Sequence, residues 1–95
     1  MSYKLRFLPS ALKEWKKPDQ SIKQQFKKKL EERLINPNIP SAQLFGYTNH
    51  YKIKLRSSGY RLVYEVVDDE LYILVIVFGK REGGRVYTIL NKRKS

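Results

Sequence analysis

Lys52, Lys54, Arg61, Arg81 and Tyr87 stand out by type, and what they could do is bounded by what the chain lacks. One histidine and no cysteine leave little material for a serine or cysteine hydrolase. The lone His50 cannot build a metal site and is a weak catalytic candidate. Carboxylates are scattered or gathered in Asp68-Asp69-Glu70, so the converging acids of a two-metal nuclease are not expected. Neither a metal nor an organic cofactor is implied. Gly83-Gly84 precedes no helix-opening Lys-Ser/Thr, so no phosphate loop is read there. A set of lysines, arginines and one tyrosine can still cleave RNA. The substrate's own 2′-oxygen attacks the adjacent phosphorus. The protein then takes a proton from the 2′-OH, stabilises a phosphorane-like transition state and assists the leaving 5′-oxygen. Lysine and arginine suit the second task. Tyrosine, with an ordinary pKa of ~10, is a poor base at neutral pH, although adjacent cations favour its phenolate. Arginine is a poor acid for the mirror reason, with a pKa above ~12. Such a site depends on alignment and charge more than on matched pKa values. It should be weak on free RNA and strong where something else positions the strand.

The element that must position this set is Tyr51-Lys-Ile-Lys-Leu-Arg-Ser-Ser-Gly-Tyr-Arg-Leu-Val-Tyr64, a β-hairpin turning at Ser57-Ser58-Gly59. Tyr51, Ile53 and Leu55 alternate with Lys52, Lys54 and Arg56. Strand side chains point alternately to opposite faces, so one face is apolar and the other cationic. Leu62, Tyr64 and Val66 continue the apolar face, and Arg61 joins the cationic one. These fourteen residues carry four basic groups and no acid. A polyanion lying across them would balance that charge. The simpler alternative is a solvated strand face whose cations block edge pairing.

Composition points the same way. Twenty lysines and arginines against nine acids give a net charge of +11 on 95 residues, one small domain spanning 1–95. That charge suits RNA, DNA or acidic protein, with an anionic membrane ranked last. No apolar run approaches the ~20 residues of a membrane span, and the N-terminus has no signal-peptide core. The absence of cysteine fits a reducing cytoplasm.

Along the chain, Tyr3 to Leu8 reads as a first strand, with Pro9-Ser10 stopping it. Ser10 is expected to cap a short helix through Lys17, with Leu8, Leu12 and Trp15 on its inner face. Asp19 can cap a second helix from Gln20 to Ile35, where Ile22, Phe26, Leu30 and Leu34 form an apolar stripe. Asn36-Pro37-Asn38-Ile39-Pro40 ends it. A loop from Ser41 to His50 leads to the hairpin, and Asp68-Asp69-Glu70 turns into the next strand. Leu71 to Phe78 is unbroken and apolar, a strand buried on both faces. A basic tail follows, with a short helix over Tyr87 to Asn91. The expected fold is α+β, in the order β-α-α-β-β-β. A small, mostly antiparallel four-stranded sheet carries an αα-hairpin on one face, with a C-terminal basic tail or helix.

The chain resembles the RelE toxins of bacterial type II toxin–antitoxin pairs, within the RelE/ParE superfamily. The resemblance covers nearly the whole chain. It rests on Ala11-Leu-Lys-Glu-Trp-Lys16, Lys27-Lys-Lys-Leu30, the hairpin Tyr51 to Tyr64, and Gly79-Lys-Arg-Glu82 with Val86-Tyr87. It implies a metal-independent, ribosome-dependent endoribonuclease that cuts mRNA in the A site during translation. It places the family's functional positions on Lys52, Lys54, Arg61, Arg81 and Tyr87. By resemblance, Tyr87 is the general base and Arg81 stabilises or protonates the leaving oxygen. Lys52 and Lys54 stabilise the phosphate and the phenolate, and Arg61 holds the phosphate. The surface expected to meet RNA comprises Lys52, Lys54, Arg56, Arg61, Lys80, Arg81 and Arg85. The implied partners are the ribosome with its 16S rRNA, mRNA and an acidic RelB-like antitoxin. Operator DNA is expected only through the antitoxin complex, because the chain shows no helix-turn-helix. Two other readings share the charge or the fold: a non-enzymatic rRNA or DNA binder, and the gyrase-inhibiting branch of the superfamily.

Overall fold

The computed structural model describes residues 2–55, 58–80 and 85–94, without the side chains of Arg85 and Lys94. Its elements run β1 (Lys4–Phe7), α1 (Pro9–Trp15), α2 (Gln20–Ile35), β2 (His50–Leu55), β3 (Tyr60–Val67), β4 (Tyr72–Lys80) and α3 (Arg85–Lys94). This is the expected α+β order.

The helix boundaries follow local chemistry. Pro9 opens α1 and the extended Leu8 is its N-cap, where Ser10 was the expected cap. Proline suits the first helical position because its fixed φ is already helical and its missing N–H would have had no partner. Leu8 therefore lies outside the helix; within it Ala11 is buried, Trp15 four residues on is half-buried, and Leu12 is exposed. Asp19 sits at the N-cap of α2 without a side-chain capping bond. In α2, Phe26 and Leu30 are buried, and Ile22 and Leu34 pack beside them.

The sheet order is β1-β4-β3-β2. β2 pairs with β3 and β3 with β4 antiparallel, while β1 runs parallel to β4. The expected apolar face forms. Tyr51, Ile53, Leu55, Leu62, Tyr64 and Val66 meet Ala11, Phe26 and Leu30 in one core. Trp15 belongs to it, with ring centroids 5.6 Å from Phe7 and 5.2 Å from Phe78.

The apolar run into β4 is less uniform than its sequence. Leu71 is an exposed turn residue with φ 56°, outside the strand. Within β4, Val63 pairs with Val77 and Tyr64 with Val75, so Ile76 is one extra residue, a β-bulge. The bulge lets Val75 and Phe78, three apart, both enter the helix-side core. Ile76 and Val77 join a second core on the other face. There α3 covers the sheet with Val86 and Leu90, packed with Leu44 and Val63. The helices therefore do not all share one face. α3 is also longer than the expected Tyr87 to Asn91, because burying Val86 and Leu90 extends it. Each such side chain contributes about 1.5–3 kcal/mol.

Candidate active site

Alternation along β2 and β3 puts Lys52, Lys54 and Arg61 on the α3 side of the sheet. Lys54 and Arg61 are direct cross-strand partners, and Lys52 faces Val63 one step along. Lys54 is exposed, and Lys52 and Arg61 are half-buried. Gly79 lies across from Arg61 on β4. Among the described residues, a methyl group there would meet nothing within 4 Å.

α3 brings Tyr87 to the same place. Arg61 Nη1 donates a hydrogen bond to the Tyr87 phenolic oxygen at 2.8 Å. The guanidinium carbon stands 5.8 Å from the ring centroid. Residues 26 apart in sequence are thus joined at a half-buried, cationic position. A guanidinium N–H aimed at a phenolic oxygen stabilises negative charge there. Among the described residues nothing accepts the phenolic hydrogen of Tyr87.

Four of the expected site residues therefore lie on one side of the sheet, Lys52, Lys54, Arg61 and Tyr87, with Arg61 and Tyr87 in direct contact. Arg56 and Arg81 lie outside the described residues, as does Ser57 of the turn, and so does the Arg85 side chain. Lys80 is placed elsewhere. It pairs with Tyr60, and its Nζ lies 5.8 Å from the Tyr60 ring centroid, on the face that holds Phe78. The bulge sets this parity, which simple alternation through the run does not reveal. No group of three or more His, Asp or Glu among the described residues could hold a metal.

Two features had no clear signal in the sequence. His50 is buried, with Nδ1 donating to the Thr48 carbonyl at 2.7 Å, and its Nε2 has no partner among the described residues. Glu14 and Arg93 form an ion pair at 2.9 Å that ties α1 to α3. Glu14 is the first acid of the chain, which could have marked it; Arg93 is hidden in a basic tail.

A second arginine–tyrosine pair sits on the opposite face. Arg33 Nη1 donates to the Tyr64 phenolic oxygen at 2.8 Å, and Tyr64 donates to the Pro37 carbonyl at 2.8 Å. Arg33 also reaches the Lys52 carbonyl at 3.3 Å, on the outer strand β2. Burial pushes the Tyr64 phenol above the usual tyrosine range, and the Arg33 guanidinium pulls it partly back.

A basic sheet face with a tyrosine supplied by a C-terminal helix defines a class, and comparison with known proteins agrees. The chain belongs to the RelE/ParE family of toxins from type II toxin–antitoxin systems: the family described as ParE toxin of type II toxin-antitoxin system, parDE, matches residues 5–83. It is 50% identical over 93 residues to the mRNA interferase toxin RelE of Escherichia coli K12, covering 98% of each chain. The free-state structure of a mutant of the E. coli toxin RelE superposes with a TM-score of 0.90 at 49% identity, covering 98% of each chain. RelE in the intact E. coli RelBE toxin–antitoxin complex superposes at 0.83 and 51% identity, over 85% of this chain and 99% of that one.

Proposed function

We propose that this chain is a ribosome-dependent mRNA endonuclease held inactive by a cognate antitoxin. The mRNA interferase name of a relative at 50% identity supports an endoribonuclease. The observation that carries the mechanism is the Arg61–Tyr87 bond on the cationic face with Lys52 and Lys54. Translated mRNA lies in the A site with its phosphate against Arg61 and the lysines. Tyr87, as its phenolate, takes the 2′-OH proton; the 2′-oxygen bonds to phosphorus as the bond from phosphorus to the 5′-oxygen breaks, and the 5′-oxygen leaves with a proton. Arg81, by family resemblance, serves that leaving oxygen. No metal takes part in these steps.

Arg61 acts twice in this scheme. It binds the phosphate, and it orients the Tyr87 oxygen. Because neither group is a well-matched acid or base, alignment by the ribosome supplies much of the rate. The toxin–antitoxin family, and the RelE–RelB complex of a close relative, support a RelB-like antitoxin as the storage partner. A +11 protein favours an acidic antitoxin segment, and operator contacts belong to the partner. The site of action is the cytoplasm, where translation runs.

Primer extension on a translated mRNA, with and without the protein, tests the reading. Cuts within codons should appear on the translated message, and the same purified message should stay nearly intact. Equal cutting of both would reject ribosome dependence. Binding without cutting would favour the non-enzymatic reading.

A further inference from the structure

We infer that Glu14 and Arg93 are positioning residues, a clamp that fixes α3 and thereby holds Tyr87 on Arg61; this rests on the proposed tyrosine-dependent cleavage. The clamp occupies a gap in the sheet. β1 pairs with β4 only as far as Phe7 and Val75, with the Leu8 N–H closing on the Val75 carbonyl at 3.0 Å. Among the described residues no strand lies beside the β4 edge beyond that point, and the bulge at Ile76 lies just there. Side chains take the place of a strand. Arg93 Nη1 donates to the Ile76 carbonyl at 2.7 Å, and the Phe78 N–H donates to Glu14 Oε1 at 3.2 Å. The two side chains then join in a forked pair, Nη1 to Oε1 at 2.9 Å and Nη2 to Oε2 at 3.2 Å. Glu14 comes from α1 on one sheet face and Arg93 from α3 on the other, so the clamp wraps the strand edge.

The link to chemistry is the shortness of α3. Helices below ~12–15 residues are marginal in isolation, so this ten-residue helix takes its order from what it touches. Val86 and Leu90 set its distance from the sheet. Apolar contacts alone, however, tolerate sliding and rotation. Arg93 lies six residues, about 9 Å, beyond Tyr87 along the helix and supplies a directional anchor at the far end. Tyr47, donating to Asn91 Oδ1 at 3.0 Å, is a weaker one on the exposed side. With Arg93 anchored, the phenol 26 residues from Arg61 in sequence reaches it at 2.8 Å. A displacement of ~1 Å at a reacting group can cost ~100-fold in rate.

The test compares wild type with Arg93→Ala, Arg93→Lys and Glu14→Gln, below the melting transition of each. The first readout is single-turnover cleavage on programmed ribosomes, with a ribosome-binding titration beside it. The second is the NMR resonance of Tyr87 labelled with 13C at the ζ carbon, with amide exchange of Val86 to Leu90. Arg93→Ala should cleave ~10–100-fold more slowly with unchanged ribosome affinity. Its Tyr87 resonance should move and its α3 amides should exchange faster, while β3 and β4 amides keep their protection. Arg93→Lys and Glu14→Gln, which keep part of the bonding, should fall between. If Arg93→Ala loses cooperative melting, these two variants decide by the same readouts. Cleavage at the wild-type rate, or a slower rate with an unmoved Tyr87 resonance, overturns the clamp. If wild type itself does not cleave, the proposed function fails and the resonance and exchange measurements alone decide the clamp.

Discussion

Strand β3 carries two arginine–tyrosine pairs, three residues apart and on opposite faces. In Arg33–Tyr64 and in Arg61–Tyr87 a guanidinium donates to a phenolic oxygen at 2.8 Å. The guanidinium carbon lies at nearly the same distance from the ring, 5.7 Å in one and 5.8 Å in the other. They differ in closure. Tyr64 is fully buried and spends its hydrogen on the Pro37 carbonyl, and Arg33 also serves a backbone carbonyl of β2. Tyr87 is half-buried, and its partner Arg61 shares its side of the sheet with two lysines. The closed pair has no capacity left for a ligand and joins α2 to the sheet. The open pair is less buried and lies on a cationic sheet face, which suits a substrate that carries a phosphate. Nearly identical local geometry therefore gives a structural joint in one place and, in the proposed reading, a reactive pair in the other.

The sharpest way to break this contrast is on the substrate side. If the open pair acts on a 2′-OH, a 2′-deoxy or 2′-O-methyl nucleotide at the cut site should abolish cleavage on the ribosome. The upstream fragment from normal mRNA should end in a 2′,3′-cyclic phosphate or a 3′-phosphate. A 3′-hydroxyl end would mean a different nucleophile.

Next in size is Arg61→Ala, which breaks the bond to Tyr87 and removes the proposed phosphate contact. Ribosome binding and cleavage should both weaken, by on the order of 10-fold or more, and binding should lose part of its salt dependence. Unchanged binding at all salt concentrations would leave Arg61 with the phenol alone.

The closed pair should respond in stability. Tyr64→Phe leaves the Pro37 carbonyl and the Arg33 guanidinium short of partners and should cost about 1–3 kcal/mol in urea denaturation. Its cleavage rate per folded molecule should match wild type.

The smallest effect is a pH dependence of that same joint. The folded-state pKa of Tyr64 is raised above its ordinary value of 10.0, chiefly by burial. The fold therefore favours the neutral phenol. Below about pH 10 that stability is fully present. As pH rises past the ordinary value, the unfolded chain releases its proton first, and stability is lost through the folded pKa. Urea midpoints should fall on the alkaline side, and Tyr64→Phe should flatten the fall. A wild-type curve that stays level to about pH 11 would show Tyr64 unshifted.

Much of the architecture was legible because local rules and packing agreed. Alternation in the hairpin placed Lys52, Lys54 and Arg61 on one face correctly, and the stripe in α2 identified Phe26 and Leu30. Failures came where one residue changed parity. Pro9 opened a helix that was counted from Ser10, which left Leu8 outside it, and Leu12 is exposed. A bulge at Ile76 inside a uniformly apolar run moved Lys80 to the helix side, because such a run carries no alternation to reveal the extra residue. The site roles came from resemblance to a family, whereas the contact of Arg61 with Tyr87 depends on how α3 docks. Neither Glu14 nor Arg93 announced that docking, since an ion pair 79 residues apart leaves no periodic trace.

The most direct test is single-turnover cleavage on programmed ribosomes by wild type, Tyr87→Phe and Tyr64→Phe, each with a ribosome-binding titration. Tyr87→Phe keeps the ring and should melt normally and bind with nearly unchanged affinity. It should cut on the order of 100-fold or more slowly. Tyr64→Phe should melt earlier and cut at the wild-type rate. A Tyr87→Phe protein that cuts as fast as wild type would contradict the tyrosine-base account and pass the role to Lys52 or Lys54.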